Sequence, residues 1–408
     1  MTLSIFENLE LAPRDPILGL NEAFNADTRA SKVNLGVGVY TDENGKIPLL
    51  ASVRDAESAR VAALPPRGYL PIDGIAGYNQ GAQTLLFGAN APILKEGRVV
   101  TIQALGGTGA LKLGADFLRL LEPDAEVWIS DPSWENHRAL FEMAGFKVNN
   151  YPYYDPANHG VKFDELLASF KRLPARAIVV LHACCHNPTG VDLTPSQWQA
   201  VIAVLVERQV IPFLDIAYQG FDQGIDADAA VVRQLVETGV DFFVASSFSK
   251  SFSLYGERVG ALSVVTGNKD QSARLLSQVK RTVRTNYSNP PTHGATLVAT
   301  ILSSPSLRAQ WEEELTGMRK RIRAMREKLV GLLKTAAPGR DFSFIARQNG
   351  MFSYSGLTAA EVERLKTEFG IYAVSTGRIC VAALNNNNIE YVANAIGQVV
   401  ASAPQKAA

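Results

Sequence analysis

Between residues 98 and 267 short apolar runs alternate with longer amphipathic ones. RVVTIQAL (98–105), EVWIS (126–130), FKVNNYPYY (146–154), ARAIVVLHA (175–183), VIPFLDIAY (210–218), DFFVASS (241–247) and GALSVVTG (260–267) read as strands. ALKLGADFLRLL (110–121), ENHRALFEMAG (135–145) and TPSQWQAVIAVLVERQ (194–209) read as helices, the last with Thr194 as its cap. Strands that are apolar along their whole length, separated by helix-length segments, predict an α/β fold: a mostly parallel sheet with helices on both faces.

The flanks read differently. VRDAESARVAAL (53–64) is helical, and KVNLGVGVY (32–40) is a short strand whose Gly36 and Gly38 let another group approach the backbone. Residues 306–335 form a long charged amphipathic helix, followed by TAAEVERLKTEFG, another helix, and GRICVAAL. This C-terminal stretch reads as a smaller α+β unit, with 32–40 pairing into it. The expected division is an N-terminal arm and part of the small domain in 1–45, a large domain in 46–312 and the small domain in 313–408.

Composition narrows the function classes. The chain has 408 residues, 47 % apolar and 20 % charged, with zero formal net charge. No basic run suits a nucleic acid. The five histidines show no HExxH spacing, and the CCH at 184–186 places three residues too close in sequence to converge on one ion, so no metal centre is expected. Three cysteines, two of them adjacent, are no disulfide framework and suit a reducing compartment. The N-terminus reads neither as a signal peptide nor as a membrane span, and the expected location is the cytoplasm.

The chemistry gathers at the strand ends, where open parallel sheets bind ligands. Asn187 follows one strand, Asp215 ends another with Tyr218 three residues on, and Lys250 follows DFFVASSFS. GGTGA (106–110) lies between a strand and a helix, a place where free backbone N–H groups can hold a phosphate, and Ser247 and Arg258 can add donors. Each feature alone is equally a turn, a cap or a surface charge. Together, a lysine able to form a Schiff base, an acid able to hold a pyridinium nitrogen and a set of phosphate donors are the parts of a pyridoxal phosphate site. Trp134, in DPSW, can stack on the ring, and Asn187 and Tyr218 can donate to its phenolate oxygen.

NLGVGVY, GYLPIDG, GGTGALK, SDPSWENH, HACCHNPTG, FLDIAYQGF, SFSKSFSLYGERVG, TVRTNYSNPP, GMFSYSGL and GRICVAAL follow one another along nearly the whole chain. In this order they resemble the class I pyridoxal-phosphate-dependent aminotransferases of fold type I. The nearest resemblance is to the bacterial tyrosine or aromatic-amino-acid aminotransferases, which are related to the aspartate aminotransferases. The resemblance implies that Lys250 carries the cofactor, Asp215 faces its ring nitrogen, and His137 stands behind Asp215. It gives Asn187 and Tyr218 the phenolate oxygen, with Tyr218 counted among the catalytic residues, and Gly107, Thr108, Ser247 and Arg258 the phosphate. Tyr69 would reach that phosphate from the other subunit of a homodimer with shared sites. Arg378 would hold the substrate α-carboxylate, with Gly38, Trp134 and Asn187 also touching substrate. Arg284 would come across the dimer interface to a side-chain carboxylate. The implied activity is ping-pong transamination between tyrosine, phenylalanine or aspartate and 2-oxoglutarate. Mainly dicarboxylic substrates, or a lyase or decarboxylase reaction on the same cofactor, are the alternatives.

Overall fold

The computed structural model describes residues 4–12 and 15–401, and for Pro16 the backbone alone. Parts of the expected N-terminal arm and of the C-terminal domain, residues 1–3, 13–14 and 402–408, lie outside the described residues. The central sheet has seven strands: β1 (Val99–Leu105), β2 (Glu126–Asp131), β3 (Lys147–Pro152), β4 (Ile178–His182), β5 (Ile211–Ile216), β6 (Phe242–Ser247) and β7 (Val259–Val265). Their order is β1-β7-β6-β5-β4-β2-β3, and only β7 runs antiparallel to its neighbours.

Side chains alternate across a strand, so each strand feeds two cores. Val179 and Leu181 of β4, Leu214 and Ile216 of β5, and Phe242 and Val244 of β6 join one apolar cluster. Ile178 and Val180, Phe213, and Phe243 and Ala245 join the other. The second core is closed by helix Gly106–Leu121, through Leu111, Ala115 and Leu118 among others. The first is closed partly by helix Pro195–Glu207, through Trp198, Val201 and Leu205. Both faces of β6 and β7 are therefore buried along their full length.

The expected elements are present, with altered edges. Thr194 caps its helix as read, in a reciprocal capping box with Gln197. The helix expected from 110 begins at Gly106, so the glycines form its first turn. The strand expected over 32–40 shrinks to Val33–Asn34, since the Gly36–Gly38 stretch leaves the sheet. It pairs in parallel with Ile371–Tyr372, which joins the N-terminal segment to the C-terminal unit. Helix Pro305–Ala336 carries the chain from the large unit into the small one, packing against helices Ala51–Ala63 and His293–Ser303 and also against Ile389–Ala401. Beyond it, Phe352–Tyr354 pairs antiparallel with Arg378–Cys380. Among the described residues no helix is long and apolar enough to cross a membrane. All three cysteines are free and buried.

Candidate active site

The strand order decides what meets. The carboxyl ends of β1, β2, β4, β5 and β6 point to one edge of the sheet, and β7 starts there, with Val259 paired to Leu105. Gly106–Thr108, Trp134, Asn187, Asp215, Tyr218, Ser247, Lys250 and Arg258 therefore converge, although they are spread over more than 150 residues. All of these but Gly106 line a cavity of about 480 Å³, within the range of small-molecule sites. Arg378 and Phe352 close it from the small unit, Gly38 from the N-terminal segment, and Ile17 and Leu18 from helix Pro16–Ala26.

Asp215 is buried, and its Oδ2 lies 2.9 Å from His137 Nε2. His137 Nδ1 is 2.9 Å from Ser133 Oγ, so both ring nitrogens are engaged. Burial favours the neutral acid, but the His137 hydrogen bond, together with nearby positive charge that includes Lys250, outweighs it and holds the Asp215 carboxyl below its ordinary value. The result is a buried, oriented anion.

Lys250 is the opposite case. Burial pushes its amine down to about 8; Asp215 resists that shift and Arg258 adds to it. Its Nζ lies 4.7 Å from the centre of the Tyr218 ring. Near neutral pH this lysine is close to the point where it can give or take a proton.

At the start of helix Gly106–Leu121 the main chain is crowded. Gly106 has φ +70° and donates its N–H to Arg258 O at 2.9 Å. A Cβ at Gly106 would come within 2.5 Å of Arg258 Nη2, and one at Gly107 within 3.0 Å of Ser247 Cβ. The following N–H groups have no acceptor within the helix and face a guanidinium and a serine. An anionic group with several oxygens fits this cradle, and a side chain there would fill it.

Arg378 is 1 % exposed. Its Nη1 donates to Asn187 Oδ1 at 3.2 Å and its Nη2 to Gly36 O at 2.8 Å, while Nε is buried with no hydrogen-bond partner among the described residues. The guanidinium lies 4.4 Å from the centre of the Phe352 ring. A buried cation with an unsatisfied donor beside a cavity suits a carboxylate.

Trp134 packs edge-on against His137, with ring centres 5.3 Å apart. Tyr69 is 95 % exposed and Arg284, which donates to Ser288 Oγ, is also exposed; neither lines the cavity of the single chain. Sequence reasoning missed His182, which borders the cavity between His137 and His186. Its Nε2 is buried without a partner, and burial, helped by His137, pushes its imidazole down to about 3, so it is neutral. Its position at the end of β4, paired with Asp215, was the available signal. Phe352 was also missed, although it lies in GMFSYSGL, one of the segments that carry the family resemblance. His137, His182 and Asp215 form the one group of metal-ligand type among the described residues. A metal ion there would have to displace the hydrogen bonds that already occupy His137.

Comparison with known proteins agrees with this geometry. Residues 30–396 match the family model described as aminotransferase class I and II. The chain is 67 % identical to an aspartate aminotransferase of Pseudomonas aeruginosa, over 98 % of this chain and all of that protein. It is 52 % identical to an aromatic-amino-acid aminotransferase of Escherichia coli, over 97 % of this chain and all of the relative. A crystal structure of an aromatic-amino-acid aminotransferase from Burkholderia pseudomallei, covalently bound to pyridoxal phosphate, superposes with a TM-score of 0.96. It is 67 % identical and covers 98 % of this chain and 100 % of its own. With its lysine, carboxylate and anion cradle on one sheet edge and a match along nearly its whole length, the chain belongs to the class I and II aminotransferases.

Proposed function

We propose that the chain is a pyridoxal-phosphate-dependent transaminase acting on aromatic amino acids and aspartate, with 2-oxoglutarate as the amino acceptor. The observation that carries this reading is the presence, in one cavity, of a lysine lowered to about 8, a buried carboxylate held anionic and a buried arginine with a free donor. Pyridoxal phosphate fits the donor set, and when bound it supplies an electron sink that acidifies the amino acid's Cα–H bond.

The chain's own residues do the rest. Gly107, Thr108, Ser247 and Arg258 hold the phosphate. Asp215, kept ionised by His137, holds a proton on the ring nitrogen. Asn187 and Tyr218 donate to the phenolate oxygen, and Trp134 covers a ring face. Arg378 holds the α-carboxylate, and Gly38, which has no side chain, leaves room beside Phe352: a Cβ there would lie 2.5 Å from Phe352 Cζ. Lys250 Nζ takes the Cα proton and returns it one position further along the conjugated system. A lysine at the ordinary value near 10.4 would be almost wholly protonated and a poor base at pH 7.

Tyr69 and Arg284 belong to this reading only through a homodimer, in which each reaches the partner's cavity. The exposure of both in the single chain supports it. Division into domains near 45 and 312, small-molecule rather than nucleic-acid or membrane partners, and a cytoplasmic location complete the proposal.

A second reading, a mainly dicarboxylic aspartate aminotransferase, is favoured by the name carried by the Pseudomonas aeruginosa relative. The test is kcat/KM for phenylalanine and aspartate in the wild type and in Arg284→Leu. The proposal expects good activity on both donors. The substitution should cost aspartate about 2–5 kcal/mol, or roughly thirtyfold or more, and leave phenylalanine nearly unchanged. Negligible wild-type activity on phenylalanine would establish the second reading instead.

A further inference from the structure

Arg326 lies on helix Pro305–Ala336, outside the cavity, and is 3 % exposed. Its five hydrogen bonds all end on neutral oxygens. Nη1 donates to Ile345 O at 3.3 Å and to Ser353 Oγ at 2.7 Å; Nη2 donates to Asn349 O at 3.2 Å, to Gly350 O at 2.7 Å and to Phe352 O. No carboxylate is among these partners. Burial pushes the guanidinium down to about 10, against the pull of nearby thiols and carboxyls. A buried arginine without an ion-pair partner is costly, and truncating it would take a donor from four carbonyls, of which, among the described residues, Ile345 O alone keeps another, Gln348 N at 3.3 Å. Its contacts centre on one loop.

That loop also touches the large unit. Asn349 N donates to Gly190 O at 2.6 Å and Tyr354 N to Thr189 O at 3.4 Å. The approach is close: a Cβ at Gly190 would lie 2.7 Å from Phe352 O. Phe352 ends the loop, with its ring under the Arg378 guanidinium and edge-on to Tyr218 at 6.0 Å. Its strand pairs with the strand of Arg378, Phe352 opposite Cys380 and Tyr354 opposite Arg378.

We infer that Arg326 is a positioning residue for substrate binding: by gathering the carbonyls of residues 345–352 it fixes Phe352, and Phe352 fixes the plane of the Arg378 guanidinium. The inference rests on the proposed grip of Arg378 on the substrate α-carboxylate. A carboxylate recognised by a planar fork is sensitive to the orientation of that fork, and the α-carboxylate is common to every donor. A loosened loop therefore weakens all donors alike and leaves the cofactor's attachment alone.

The test uses holoenzyme of wild type, Arg326→Lys, Phe352→Leu, the double variant and Arg378→Leu. Lysine keeps the charge but has three donors on one nitrogen and no fork. Measured are KM and kcat for aspartate and for phenylalanine, the absorbance of bound pyridoxal phosphate and Tm. Arg326→Lys should raise KM about tenfold for both donors, with kcat within about twofold and the absorbance unchanged. Phe352→Leu should do the same, and the double variant should be no worse than the more impaired single one. A wild-type KM in Arg326→Lys, multiplicative effects in the double variant, or joint loss of kcat, cofactor and Tm would overturn the positioning role. If Arg326→Lys does not fold, Phe352→Leu decides: an unchanged KM overturns the role, and a raised KM with unchanged absorbance supports it. A normal KM in Arg378→Leu would overturn the carboxylate reading beneath it, whereas a raised KM there with no change in Arg326→Lys would overturn the inference alone.

Discussion

His137 Nε2 stands 2.9 Å from Asp215 Oδ2, and the imidazole is completely buried. The pair joins helix Glu135–Met143 to the end of β5, and it turns an acid that burial would neutralise into a fixed anion. Asp215→Asn keeps the shape and removes the charge. Single-turnover proton abstraction should fall at least about a hundredfold, the scale of a lost acid–base contribution, while cofactor occupancy changes much less. An unchanged rate would contradict the assigned role.

Lys250 should be the residue that holds pyridoxal phosphate covalently. Borohydride reduction and peptide mapping should place the label on Lys250 alone, and Lys250→Ala should lose turnover by orders of magnitude. Label on any other lysine refutes the assignment.

The same lysine shapes stability against pH in the cofactor-free protein. Its folded value, about 8, is lower than the unfolded one, so the unfolded chain binds the proton more tightly. The penalty is full below about pH 8 and fades as pH rises towards 10.4, so stability increases across that window. In Lys250→Met that rise should be missing from urea titrations of the apoprotein. An identical pH profile in the two proteins would rule out a depressed lysine.

Gly106→Ala places a Cβ 2.5 Å from Arg258 Nη2 at a φ of +70°. Strain and collision together should cost about 1–3 kcal/mol, which appears as roughly five- to hundredfold weaker pyridoxal phosphate binding in an absorbance titration. Wild-type affinity would show that this turn does not hold the phosphate.

Shared sites make a prediction for mixed dimers. In a hybrid of Lys250→Ala and Arg284→Ala subunits, both defects fall in one site and the other is intact. Random reassociation should restore about a quarter of wild-type aspartate turnover. Hybrids that form without regaining activity would mean that each site is built from one chain.

Much of the molecule was legible in its residue pattern. Continuous apolar runs such as IVVLH and FFVAS are strands because only a sheet covered on both faces buries them. Thr194 with Gln197 marks a helix start because the cap is a contact over three residues. Lys250, Asp215 and Asn187 stood out as polar groups at apolar strand ends. Other features belong to the tertiary structure alone. Arg378 donates to Gly36 O across 342 residues, and Phe352 enters the cavity only through its pairing with the strand of Arg378. His182, an ordinary strand-end histidine in sequence, becomes a neutral imidazole with an orphaned nitrogen because the closed fold buries it, against the pull of Asp215. Periodicity records which side of an element is buried; it carries no record of which distant element covers that side. The partners of Arg326, Phe352 and His182 were therefore set when the chain closed on itself.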